Sequence, residues 1–99
     1  MSIGTSVSGS ELTVQVEGRF DFSAHQEFRD AYEKSDDSVK SYVIDMSRAT
    51  YLDSSALGML LLLRDHAGGD TAQVHIKNCN QDVKKILTIS NFEQLFSID

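Results

Sequence analysis

The stretch Val43-Ile44-Asp45-Met46-Ser47-Arg48-Ala49-Thr50-Tyr51-Leu52-Asp53-Ser54-Ser55-Ala56-Leu57-Gly58 decides how this chain folds. It opens on apolar residues, turns polar, and ends on an acid and two serines ahead of a run of helix formers. Strand, short loop, helix is the order it predicts. Tyr42-Val43-Ile44 is continuously apolar, which predicts a central strand covered on both faces. Asp53-Ser54-Ser55 predicts a helix start, with the helix over residues 55–67. Arg64 and His66 suit the negative end of that helix, and Gly68-Gly69 stops it. Gly58 inside the helix costs about 1 kcal/mol relative to alanine. Close packing on the sheet is the expected reason for it.

Upstream, Ile3, Thr5 and Val7 alternate with smaller residues, and Leu12, Val14 and Val16 alternate with Thr13, Gln15 and Glu17. This period of two predicts two strands, each with one buried face, joined by the turn Ser8-Gly9-Ser10 as a hairpin. Gly18 is expected to close the second strand. Ser23 is expected to cap a helix that runs through Lys34, with Phe28, Ala31 and Tyr32 on one face. Ser35-Asp36-Asp37-Ser38 ends it. Downstream, residues 73–77 predict a strand with Val74 and Ile76 on one face. Asn80 caps a third helix carrying Val83, Ile86 and Leu87, and residues 95–98 form a last strand. The order is ββαβαβαβ: one α/β domain over residues 1–99, a mixed sheet with its helices mainly on one face.

Composition narrows the function. Ninety-nine residues fit one domain, and 40% hydrophobic content supports a modest core. Fifteen acidic residues against nine basic ones give a net charge of −6. That field repels a phosphate backbone, so neither nucleic acid nor an anionic membrane is an expected partner. A lone cysteine, Cys79, allows no internal disulfide. Residues 1–10 show no basic segment followed by an apolar run, so no signal peptide is expected. The run Met59-Leu60-Leu61-Leu62-Leu63 is far too short to span a bilayer. A cytoplasmic protein, monomeric when free, is expected.

The chemistry of the decisive stretch lies at its helix start. Loops at the C-terminal ends of strands in α/β sheets favour binding sites. Free backbone N–H groups and the positive end of the helix dipole receive a phosphate there. A plain helix cap is the ordinary reading of Asp53-Ser54-Ser55 taken alone, as ordinary turn chemistry is of Asp21.

Around these residues the sequence resembles the STAS domain family, which includes the anti-sigma-factor antagonists. The family pattern is an apolar strand ending in an acid or its amide, a loop, then Asp-Ser-Ser-Gly-Leu-Gly. Asp53-Ser54-Ser55-Ala56-Leu57-Gly58 stands in its place. Gly18-Arg19-Phe20-Asp21 is similar to the family's Gly-x-Leu-Asp turn. Val83-Lys84-Lys85-Ile86-Leu87 with Phe92 is similar to its third helix and closing strand. The resemblance implies a STAS-like fold and a partner switch. An ATP-using serine kinase phosphorylates Ser54, a PP2C-type phosphatase reverses this, and the unmodified form binds an anti-sigma factor. It also implies that Asp21, Asp53 and Ser55 lie beside the acceptor, with Ser55 structural or a minor second site.

Ala56 departs from the usual glycine, and the extra C-terminal helix of sporulation-type members has no counterpart before Asp99. Length and the run after Ala56 are more similar to a motility- and biofilm-linked branch. There the target is a flagellar anti-sigma factor and, in some cases, a cyclic-di-GMP enzyme. The alternatives are a STAS subunit of a phospholipid ABC transporter and a ligand- or nucleotide-sensing STAS module.

Elsewhere the sequence offers no catalytic set. His25, His66, His75 and Cys79 lack metal-ligand spacing, so no metal is expected. There is no phosphate-binding glycine loop or nucleophile elbow, so neither a cofactor nor an enzymatic activity is expected. Of the Met59–Leu63 run, Leu60 and Leu63 share a core face with Ala56 and Ala67. Five consecutive apolar residues point all the way round a helix, so one face of the run is expected to stay outside as a docking patch.

Overall fold

The chain was analysed as a computed structural model that describes residues 2–33 and 39–98. Strands β1 (Ser2–Ser8) and β2 (Glu11–Phe20) form the hairpin. There follow α1 (His25–Glu33), β3 (Ser41–Leu52), α2 (Ser54–His66), β4 (Val74–Lys77), α3 (Gln81–Ile89) and β5 (Ser97–Ile98). Short 3-10 turns precede α1, β4 and β5. The sheet order is β1-β2-β3-β4-β5. Only the β1–β2 pair is antiparallel. The expected ββαβαβαβ order and mixed sheet are what the chain adopts.

One cluster holds the core. Leu12, Val14 and Val16 of β2 meet Tyr42, Ile44 and Met46 of β3 and Val74 and Ile76 of β4. Against this face pack Phe28 and Tyr32 of α1, Met59, Leu60 and Leu63 of α2, and Val83 and Leu87 of α3. Alternation puts one set of strand side chains under all three helices. Among the described residues the other sheet face carries no helix, so the cover expected on both faces of β3 comes there from the neighbouring strands. That strand is central, but Val43 points away from the helices. It is 7% exposed because Thr13 and His75 flank it in register.

Four boundaries differ from expectation, each for a local reason. Gly18 does not close β2, which continues to Phe20. Gly18 has φ 84 at a register shift, a conformation that suits glycine. Ser23 is not the helix cap: Asp21 caps the 3-10 turn Phe22–Ala24, and α1 begins after it. The expected end of that helix, at Lys34 and Ser35-Asp36-Asp37-Ser38, lies outside the described residues. The expected loop before Asp53 is strand. Gln15 pairs with Asp45, Glu17 with Arg48 and Arg19 with Tyr51, so β3 gains a residue at each shift. The extra residues change the spacing of its buried side chains from two (Tyr42, Ile44, Met46) to three (Met46, Ala49, Leu52). Residues 95–98 are only half strand, because the turn Phe92–Gln94 leads into a two-residue β5.

Gly58 is a further correction. A Cβ placed there meets nothing within 4 Å, so the residue lies open on α2 rather than against the sheet. The helical stripe Ala56, Met59, Leu60, Leu63 faces the core and turns position 58 outward.

Candidate functional site

The site is built where β2 and β3 end together. Phe20 and Leu52 are the last paired residues, both buried, and the Asp53 N–H reaches the Phe20 carbonyl at 3.4 Å. Asp21 and Asp53 therefore leave the sheet side by side. Each caps the helical segment that follows it, and each does so with the same device. Asp21 Oδ1 accepts the Ser23 N–H at 3.0 Å and also the Ser23 hydroxyl. Asp53 Oδ1 accepts the Ala56 N–H at 3.1 Å and the Ser55 hydroxyl at 2.6 Å.

Both caps have the form Asp-x-Ser, and both leave the middle residue facing outward. In the first it is Phe22, 70% exposed and stacked on the His25 ring at 5.3 Å. In the second it is Ser54, the first residue of α2. Among the described residues the Ser54 hydroxyl makes no hydrogen bond, whereas half-buried Ser55 is committed to Asp53. Sequence reasoning passed over Phe22. The signal for it was the repeated Asp-x-Ser spacing at positions 21–23 and 53–55.

These contacts set the electrostatics. The Ser55 hydroxyl, then the Ala56 N–H, hold the Asp53 carboxyl below its ordinary value against its partial desolvation and, less, the charge of Asp21. The Ser23 hydroxyl and N–H do the same for Asp21, helped by Arg19. Arg19 lies beside them, its Nε 3.8 Å from Asp21 Oδ2 and its guanidinium 4.4 Å from the centre of the Tyr51 ring. Farther along β3, burial opposes ionisation of Asp45, but hydrogen bonds from the Ser47 N–H and Asn78 prevail and lower it. The Ser54 hydroxyl is thus exposed at a helix start, next in sequence to the Asp53 carboxylate.

His66 and His75 lie apart from this end of the sheet. His66 sits at the end of α2 against the rings of Tyr32 and Tyr42. His75 is on β4, on the helix-free face, and Cys79 is half-buried against the core. Among the described residues no three His, Cys, Asp or Glu side chains are grouped to hold a metal. A cleft of about 580 Å³ lies at the opposite ends of β3 and β4, lined by Ser41, Tyr42, Val74, His75 and Phe96. Of the Met59–Leu63 run, Leu61 and Leu62 stay exposed on α2, at 42% and 52%. Among the described residues no helix is long and apolar enough to cross a membrane.

Comparison with known proteins agrees with this architecture. Residues 3–97 match the family described as "Mlab, STAS domain". A STAS-domain containing protein of Pseudomonas aeruginosa (strain UCBPP-PA14) is 66% identical over 93 residues, covering 94% of this chain and 92% of that protein. The anti-sigma factor antagonist SpoIIAA in its unphosphorylated form superimposes with a TM-score of 0.80, at 16% identity, over 99% of this chain and 88% of that one. A sulfate transporter family protein from Wolinella succinogenes does so with a TM-score of 0.77, at 13% identity, over 95% and 80%. At such identities these two structures speak for the fold alone. The family match and the Pseudomonas relative go further: this chain belongs to the STAS domain family.

Proposed function

We propose that the protein is an anti-sigma-factor antagonist switched by reversible phosphorylation of Ser54. The observation that carries this is the division of labour between adjacent serines. Ser55 spends its hydroxyl on Asp53, while Ser54 offers a free, exposed one at the start of α2. A kinase would join the γ-phosphoryl of ATP to Ser54 Oγ, releasing ADP and the hydroxyl proton. A PP2C-type phosphatase would return the serine by hydrolysis. The unmodified form binds an anti-sigma factor, a flagellar one in the motility-linked branch, with a cyclic-di-GMP enzyme as a second partner. The protein acts in the cytoplasm as a binding switch, without catalysis of its own. Asp21 and Asp53 fix the geometry around the acceptor. The likeness to an anti-sigma factor antagonist supports this reading at the level of fold.

Affinity purification from the native cell, followed by mass spectrometry, tests it. An anti-sigma factor should be recovered with the unmodified chain, and phosphate should be found on Ser54. Phosphate on Ser55, or on neither serine, would refute the assignment. The second reading, a subunit of a phospholipid ABC transporter, draws only on the occurrence of this fold in a transporter of another class, the sulfate transporter family protein. Recovery of an ATPase with no sigma regulator would select it. A ligand-sensing module would use a cleft such as the one at the far end of the sheet or the smaller one of about 320 Å³ lined by Gln15, Glu17, Asp45 and Arg48.

A further inference from the structure

Arg19 is held at the site by contacts that leave most of its hydrogen-bonding capacity unused. It pairs in register with Tyr51, one position before the buried Phe20–Leu52 pair, so both side chains turn away from the helices. The guanidinium lies over the Tyr51 ring at 4.4 Å, which fixes it to this end of the sheet. Its ion pair with Asp21 is 3.8 Å long, beyond hydrogen-bond length. Asp21 already takes two donors from Ser23. Of the other arginines, Arg29 binds Glu33 at 2.8 Å along α1, and Arg48 has a similarly long ion pair, 3.7 Å to Glu17, but farther down the β2–β3 pair.

We infer that Arg19 positions the phosphate: when Ser54 is phosphorylated, the guanidinium exchanges its loose contact with Asp21 for the phosphoryl oxygens, pivoting on Tyr51. This rests on the reading of Ser54 as the modified residue. Asp21 and Asp53 are neighbours across the strand ends, and Ser54 follows Asp53, so the dianion forms at the same end of the sheet as this tethered side chain. A phosphate dianion outcompetes a singly charged carboxylate, and the planar fork of arginine meets two of its oxygens at once. The exchange offsets the repulsion that both aspartates exert on the phosphate. It would also stabilise the dianion over the monoanion.

The test installs phosphoserine at position 54 by genetic code expansion, which needs no kinase. Phosphorus NMR then follows its second ionisation, ordinarily near pH 6. In Arg19→Gln that midpoint should rise by about half a unit or more relative to the otherwise unchanged phosphoprotein. Arg19→Lys should recover part of the difference, since it keeps the charge and loses the fork. Arg48→Gln should leave the midpoint where it was. The Arg19 Nε resonance should move with the phosphate midpoint. Equal midpoints with and without Arg19, or an equal effect from Arg48→Gln, would overturn the inference while leaving Ser54 phosphorylation standing. Absence of phosphate on Ser54 in the native cell would overturn the reading beneath it.

Discussion

Ser55 donates its hydroxyl to Asp53 Oδ1 at 2.6 Å, and the same oxygen takes the Ala56 N–H at 3.1 Å. Asp53, not either serine, is thus the cap of α2. Asp53→Ala should cost about 0.5–2 kcal/mol, the usual loss for a removed cap. Ser54→Ala should be nearly silent for stability. Thermal melts of the two variants check this. A Ser54→Ala protein as destabilised as Asp53→Ala would mean that the serine is structural and not a switch.

The hydrogen bonds to Asp53 and Asp21 predict how stability depends on pH. Both carboxyls bind a proton less readily folded than unfolded, because Ser55 and Ser23 stabilise their charged forms. As the pH falls, the unfolded chain takes up protons first. The contribution is therefore present above the unfolded value of about 3.9 and drains away as the pH drops through the lower folded values. Asparagine also caps helices but does not titrate. Melting midpoints of Asp21→Asn/Asp53→Asn should fall less steeply than wild type below about pH 4. An unchanged slope would show that these two caps do not govern acid stability.

Gly58 gives an expectation of opposite sign. A methyl group at this position meets nothing within 4 Å, and the backbone there is helical. Gly58→Ala should stabilise the protein by about 0.5–1 kcal/mol, by removing freedom from the unfolded chain. Denaturant titration reads the gain directly. A loss of stability would mean that position 58 is packed after all.

Two different signals explain what was legible in the sequence. Alternation in Leu12-Thr13-Val14-Gln15-Val16 and the cap at Asn80, whose Oδ1 accepts the Val83 N–H at 2.8 Å, are local patterns, and they gave the elements directly. The start of α2 was legible for the same reason, since the acid, serines and helix formers stand next to one another. The end of β3 was not. Its strand character depends on pairing with β2, and the two register shifts broke the period of two that would have revealed it. Asp21 was misassigned in favour of Ser23 because the 3-10 turn between strand and helix leaves no apolar rhythm to mark its start. Phe22 looks like any other core aromatic until the neighbouring caps turn it outward.

The last expectation concerns where the phosphate acts: at the partner interface, with little change inside this domain. Phosphoserine adds about −1.5 to −2 charges. At the start of α2 it gains about 0.3–1 kcal/mol per unit charge from the helix dipole. Asp21 and Asp53 repel it through water and the Arg19 guanidinium meets it directly, so the internal effects largely cancel. The core beneath, Phe20 and Leu52, is buried. Binding is different. A partner that covers Ser54 strips water from a dianion, at a cost of several kcal/mol unless it supplies cations. Even about 3 kcal/mol is more than a hundredfold in affinity. Exposed Phe22, together with Leu61 and Leu62, gives such a partner apolar surface to cover near that charge and along α2. Amide NMR spectra of the phosphorylated and unmodified proteins should therefore superimpose except around Arg19, Asp21 and Ser54. Affinity for the anti-sigma partner should differ by at least about tenfold. Shift changes spread across the sheet, or equal affinities, would place the switch inside the fold instead.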